Sequence, residues 1–107
     1  MKRLLGLAVV IPLLLAGTAW AAGTVKIVSP ENGATVDATF PLEVKVEQGG
    51  GVDHYHLFVD GEFVKAVMSP TFNVGPLASG KHKIKAWGAS SSHRLLDVSD
   101  EIEVTVK

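Results

Sequence analysis

From Thr24 onward apolar residues recur at every second position, and no segment carries the three-to-four spacing of an amphipathic helix. Only a pleated strand turns that spacing into one buried face, so the chain has to be built from strands. The clearest stretch is His54-Tyr55-His56-Leu57-Phe58-Val59-Asp60-Gly61. Alternation assigns Tyr55, Leu57 and Val59 to the core face and His54, His56 and Phe58 to the opposite, solvated face. Asp60-Gly61 is a two-residue turn in which a left-handed backbone is cheap, so Glu62 to Met68 returns as the second leg of a hairpin. A core has use for the Tyr/Leu/Val face and none for two imidazoles side by side on the other. That surplus is the main functional clue in the sequence.

The other segments obey the same rule. Thr24 to Val28 is a strand stopped by Ser29-Pro30, and Ala34 to Val36 is a short edge strand after the Glu31-Asn32-Gly33 turn. Leu42, Val44 and Val46 alternate with Glu43, Lys45 and Glu47, and Gln48 to Gly51 is a glycine loop. Phe72 and Val74 mark a strand over Thr71 to Val74, and Ile84 and Ala86 one over Lys81 to Trp87. Gly88 to Asp100 reads as a long polar loop in which Leu95 and Leu96 tuck back over the sheet end. Glu101 to Lys107 closes the domain with Ile102, Val104 and Val106 inward. About seven strands at short intervals predict an all-β sandwich.

Residues 1–21 do not fit this pattern. Lys2 and Arg3 precede an apolar run from Leu4 to Ala16, and Ala19 and Ala21 offer the small side chains a signal peptidase reads. These are the parts of a signal peptide cleaved after Ala21, and the run is too short to span a membrane. Residues 22–107 are then one exported domain, periplasmic or extracellular, with no membrane span after processing. Two of the ten basic side chains leave with the leader, so the domain carries a net charge of about −3. That balance argues against nucleic acid as a partner. The chain has no cysteine, so neither a lipid anchor nor a disulfide is available, and the apolar core must hold the fold.

Lys26-Ile27-Val28-Ser29-Pro30-Glu31-Asn32-Gly33, then Phe58-Val59-Asp60-Gly61, then Leu77 through His82 resembles bacterial immunoglobulin-like domains. The resemblance implies an immunoglobulin-like or fibronectin-III-like sandwich, and the sandwich itself hosts many unrelated functions. His54-x-His56 before Val-Asp-Gly, Gly80-Lys81-His82 and Ser92-His93 are also similar to small exported bacterial domains of unknown function that bear histidines at matching places. The late loop departs from them at Arg94-Leu95-Leu96.

The implied topology sets the strand at 54–60 beside that at 81–87, and the latter beside 101–107. His54 and His56 then lie near Trp87, at the end of the sandwich where the loop carrying His93 also emerges. Lys83 and Lys85 meet Glu103 and Glu101 across strands. His82 falls at an inward corner position, where a ring hydrogen-bonds back to the preceding loop.

Histidines two apart on a strand project in parallel, and neutral imidazole is a ligand for borderline metals. His54, His56 and His93 are therefore the candidate metal ligands, with copper(II) or zinc as the ion. Phe58 and Trp87 on the same outer face are a candidate contact surface. The residues leave two readings open: a non-catalytic binding module with a transition-metal site, or a purely structural module docking onto an envelope protein or polysaccharide. Catalysis is disfavoured, since no nucleophile–base or paired-carboxylate motif is present and a sandwich this small fills its own interior.

Overall fold

The computed structural model describes residues 23–107, and the expected signal peptide lies outside them. Eight strands follow in order: β1 (Thr24–Ser29), β2 (Thr35–Val36), β3 (Phe40–Glu47), β4 (His54–Val59), β5 (Glu62–Val67), β6 (Thr71–Val74), β7 (Gly80–Ala89) and β8 (Leu95–Val106). They form a three-stranded sheet, β1-β3-β6, and a five-stranded sheet, β2-β8-β7-β4-β5. The described residues form an all-β sandwich of two sheets. Its core is assembled from the positions alternation assigns inward: Val25, Ile27, Leu42, Val44, Tyr55, Leu57, Ile84, Ala86, Ile102 and Val104 are all buried.

The first strand changes sheets at the Ser-Pro turn. β1 pairs with β3, its ladder is irregular after Ile27, and β2 then runs parallel to β8. Two side chains hold the switch. Asp100 Oδ2 accepts from the Ile27 amide at 2.9 Å, and Asn32 Oδ1 accepts from the Glu103 amide at 2.8 Å. Both amides would otherwise be orphaned where one ladder stops and the next begins.

The Asp60-Gly61 hairpin turns with positive φ at both residues, 53° and 85°, as a two-residue turn between twisted strands requires. His82 clamps it. Its Nε2 donates to the Ala78 carbonyl at 2.7 Å and its Nδ1 to Asp60 Oδ2 at 2.6 Å. Neither acceptor carries a hydrogen, so the ring holds both protons. The hydrogen bond to Asp60 and the one to Ala78 raise the His82 pKa above its ordinary value. The Asp60 carboxyl is lowered in turn, first by His82 and then by the Lys83 amide that also donates to it.

The pH dependence follows in sign. A raised histidine pKa contributes stability that is complete below the unfolded value of 6.5 and is lost as pH climbs through the folded value. The lowered Asp60 contribution is present above 3.8 and lost as pH falls through its folded value. The clamp is thus strongest between those unfolded values. Its worth is about 1 kcal/mol, less than the roughly 1.5–3 kcal/mol of a charged hydrogen bond out of water, because half of Asp60 is open to solvent. Thermal melts of the parent and His82→Gln should differ by that amount near pH 5.5 and converge toward pH 8.5.

Tyr55 shows the opposite economy. Its ring fills the core, and its hydroxyl is buried with no hydrogen-bond partner among the described residues. Burial pushes its pKa up to about 12. An unsatisfied buried hydroxyl costs on the order of 1 kcal/mol or more. Tyr55→Phe is expected to leave stability unchanged or raise it by up to about 1 kcal/mol in urea unfolding, with no change in m-value.

Candidate metal centre

β4 is central in its sheet, paired to β5 on one side and β7 on the other. Its register sets His54 opposite Ala89 and His56 opposite Trp87, the neighbourhood expected from topology. Tyr55 and Leu57 point into the core, so the two histidines do occupy the outer face. That face is not open to water, contrary to what alternation alone implies. His54 is only 2 % exposed and His56 only 8 %.

The cover comes from a segment that reads as a long loop and is mostly strand. β7 continues to Ala89 and β8 begins at Leu95, leaving a turn of only Ser90 to Arg94. Gly88 permits this. A Cβ there would lie 2.5 Å from Val98 Cγ2 and 3.2 Å from Val25 Cγ2, so only glycine lets the hairpin legs close. The turn is pinned by Ser90 N–H to Arg94 O at 2.9 Å, His93 N–H to Ser90 O at 2.8 Å and Arg94 N–H to Ser90 Oγ at 3.1 Å. Of the two leucines expected to tuck in, Leu96 packs against the core and Leu95 stays exposed.

This short hairpin folds His93 over β4. His93 Nδ1 lies 3.2 Å from His54 Nε2 and 3.4 Å from His56 Nε2. One ligand atom from each of the three rings falls within 4.8 Å of the others. Nitrogens around a tetrahedral zinc, with bonds of about 2.0–2.1 Å, are roughly 3.3–3.4 Å apart. The two closest separations in the cluster match that edge.

The protonation pattern favours lone pairs at the centre. Asp53 Oδ2 lies 3.1 Å from His54 Nδ1, so Nδ1 carries a proton there and Nε2 is the nitrogen turned toward His93. The His56 pKa is lowered, chiefly by burial and then by the charges of His54 and His93, so its ring is neutral at pH 7. A single proton on His93 Nδ1 can satisfy only one of the two nitrogens it approaches. His93 also holds φ at 67°, a left-handed conformation uncommon for any residue with a Cβ, although histidine, like asparagine and aspartate, adopts it more readily than most. Strain, burial and crowded lone pairs coincide at one point.

Beside the histidines lies an aromatic strip. Phe58 packs against Trp87 and Phe63 with ring centroids 5.5 and 5.7 Å apart, and Phe63 against His56 at 5.2 Å. Phe58 and Trp87 are half-buried, and Trp87 Nε1 donates to the Leu96 carbonyl at 2.6 Å, which anchors β8 to the strip. Phe63, which alternation alone does not single out, carries the exposed end of the strip at 56 %. Lys83 and Lys85 stand opposite Glu103 and Glu101 as expected, yet Lys85 Nζ sits 4.1 Å above the Trp87 ring. A hollow of about 550 Å³ between the end of β1 and the middle of β8, lined by Lys26, Pro30, Lys45 and Asp100 among others, includes none of the three histidines.

A family model described as a bacterial Ig domain matches residues 24–86, a span that includes His54 and His56 and ends before Trp87 and His93. Comparison with curated proteins finds no match. Among solved structures, the fibronectin(III)-like modules of Clostridium thermocellum CbhA superpose with a TM-score of 0.60 at 17 % identity, covering 78 % of this chain and 96 % of that one. At that identity the likeness is one of fold.

Proposed function

The chain belongs to the bacterial Ig domain family, and from that premise we propose that it is an exported, non-catalytic module binding zinc or copper(II) through His54, His56 and His93. In this reading residues 1–21 are removed on export and residues 22–107 form the working domain. The observation that carries it is the convergence of three imidazole nitrogens, two from buried rings of a central strand and one from a strained turn. Three buried or crowded imidazoles have no structural use for one another: they cannot share protons fully, and charging any of them repels the rest. A cation satisfies all three lone pairs at once.

Each residue has a distinct part. His54 Nε2 and His56 Nε2 supply the rigid pair of ligands, and Asp53 orients His54 from behind. His93 supplies Nδ1 once its proton moves to Nε2 on the exposed side of the ring. A fourth position is left for water or a carboxylate. Nitrogen ligation suits zinc and copper(II) over softer ions, and Met68 is the sole methionine within residues 22–107.

One observation favours a second reading, a structural module that docks onto an envelope protein or polysaccharide: the strip of Phe58, Trp87 and exposed Phe63. Calorimetric titration of the exported protein with zinc chloride and with copper(II) chloride at pH 7.5 separates the two. The metal reading requires binding at micromolar concentration or tighter. It also requires a loss of at least about 100-fold in His54→Ala/His56→Ala, since even outer-shell partners of a ligand are worth 10–100-fold. Affinity should fall as pH is lowered, because protons and metal compete for the same imidazole lone pairs. No binding by the parent at tens of micromolar metal would leave the docking module as the function.

A further inference from the structure

β5 is the outer strand of the five-stranded sheet, and its free edge differs from the other three. β2 has two residues, β1 is irregular after Ile27 and runs into Pro30, and β6 has four residues between Pro70 and Pro76. β5 has six residues, no proline, and only Glu62 and Lys65 as charges. Large apolar side chains are exposed on it and just past it: Phe63 at 56 %, Val64 at 49 % and Met68 at 66 %. An edge of this composition is a template for another strand.

Its irregularity says which strand. Against β4, Phe63 stands opposite Phe58 and Lys65 opposite Leu57, so Val64 is an extra residue, a β-bulge. Glu62 lies opposite Val59 and Lys65 opposite Leu57. Val59 and Leu57 share a face, so Glu62 and Lys65 do too, although they are three residues apart. A regular strand arriving at this edge falls out of phase at Val64, which is how bulges ordinarily protect an edge. A second copy of β5 carries the same bulge and stays in phase.

We propose that β5 pairs antiparallel with β5 of a second copy of this chain, about a two-fold axis between Phe63 and Val64, to give one ten-stranded sheet across the dimer. In that register Glu62 of each copy faces Lys65 of the other, and Phe63 faces Val64, each twice by symmetry. A shift by one residue in either direction loses both charge pairs, setting Glu62 against Val64 or Ala66. The two-fold is the isologous contact that closes on itself, so association ends at the dimer. A single strand pair buries little area, and the affinity expected is weak, with a Kd on the order of 10–1,000 μM.

The test is sedimentation equilibrium on the exported protein with EDTA present, so the outcome does not depend on whether the histidines bind metal. Glu62→Lys and Lys65→Glu each place like charges opposite one another twice and should weaken dimerisation roughly tenfold. The charge swap E62K/K65E should restore the Kd to within about threefold of the parent, and Val64→Lys should weaken it at least as much as the single swaps. All three positions are exposed, so the variants keep the fold. A parent that stays monomeric to about 1 mM, a double swap as weak as the single ones, or an unaffected Val64→Lys would each overturn the proposal.

Discussion

Replacing His93 by glycine should abolish metal-dependent stabilisation while making the metal-free domain no less stable. Almost any other ligand deletion would lower both. The difference lies in the backbone, where His93 sits at φ 67° at the tip of the β7–β8 hairpin. Glycine takes that conformation freely, whereas a residue with a Cβ incurs about 1 kcal/mol or more. Part of the relief is offset by the greater freedom of glycine in the unfolded chain, leaving a net gain of roughly 0–1 kcal/mol. The metal contribution moves the other way. At metal concentrations 100 times Kd the parent should gain about 2.7 kcal/mol, a rise in Tm of roughly 10–20 °C for a domain this small. His93→Gly should show almost none of it. Paired melts with and without zinc check both halves, and a His93→Gly protein that is destabilised without metal would refute the claim that the turn is held in strain.

Gly88→Ala is expected to cost 1–3 kcal/mol, although alanine ordinarily strengthens a strand interior by roughly 0.5–1 kcal/mol. The sign reverses because the new methyl would meet Val98 Cγ2 at 2.5 Å and the Val98 carbonyl at 3.3 Å. Neither neighbour is a flexible chain end. Relief requires the legs of the β7–β8 hairpin to separate, and that hairpin carries His93. Urea unfolding should therefore show the loss in stability, and titration of the same variant should show metal affinity falling with it. A destabilised variant with unchanged affinity would mean that His93 does not depend on closure of these legs.

The particular residues show how far the sequence can be read and why it stops. Alternation alone places Tyr55, Leu57, Ile84 and Val104 in the core, because a period of two leaves no freedom about which face a side chain takes. The same rule places His54 and His56 on the outer face and says nothing about what covers that face. Their cover is the tip of β7–β8, and the signal for that hairpin was masked by one residue. Leu96, Val98, Asp100 and Ile102 do alternate with exposed neighbours, yet a carboxylate at an inward position reads as loop. Asp100 is tolerated there because it binds the Ile27 amide where β1 leaves its ladder, a partner 73 positions away that no local pattern contains. Gly88 likewise reads as a loop glycine until Val98 and Val25 are seen against it. The bulge at Val64 leaves no mark on composition at all, since it is defined only by the register of β4.

The central claim is that three imidazoles of this sandwich share one ion. X-ray absorption on the exported protein loaded with one equivalent of zinc reads the coordination shell directly. The account predicts three imidazole nitrogens at about 2.0–2.1 Å with the outer-shell pattern of imidazole, and loss of that pattern in His93→Gly, which no longer holds the ion. A shell with at most one imidazole, or one unchanged in His93→Gly, would contradict it.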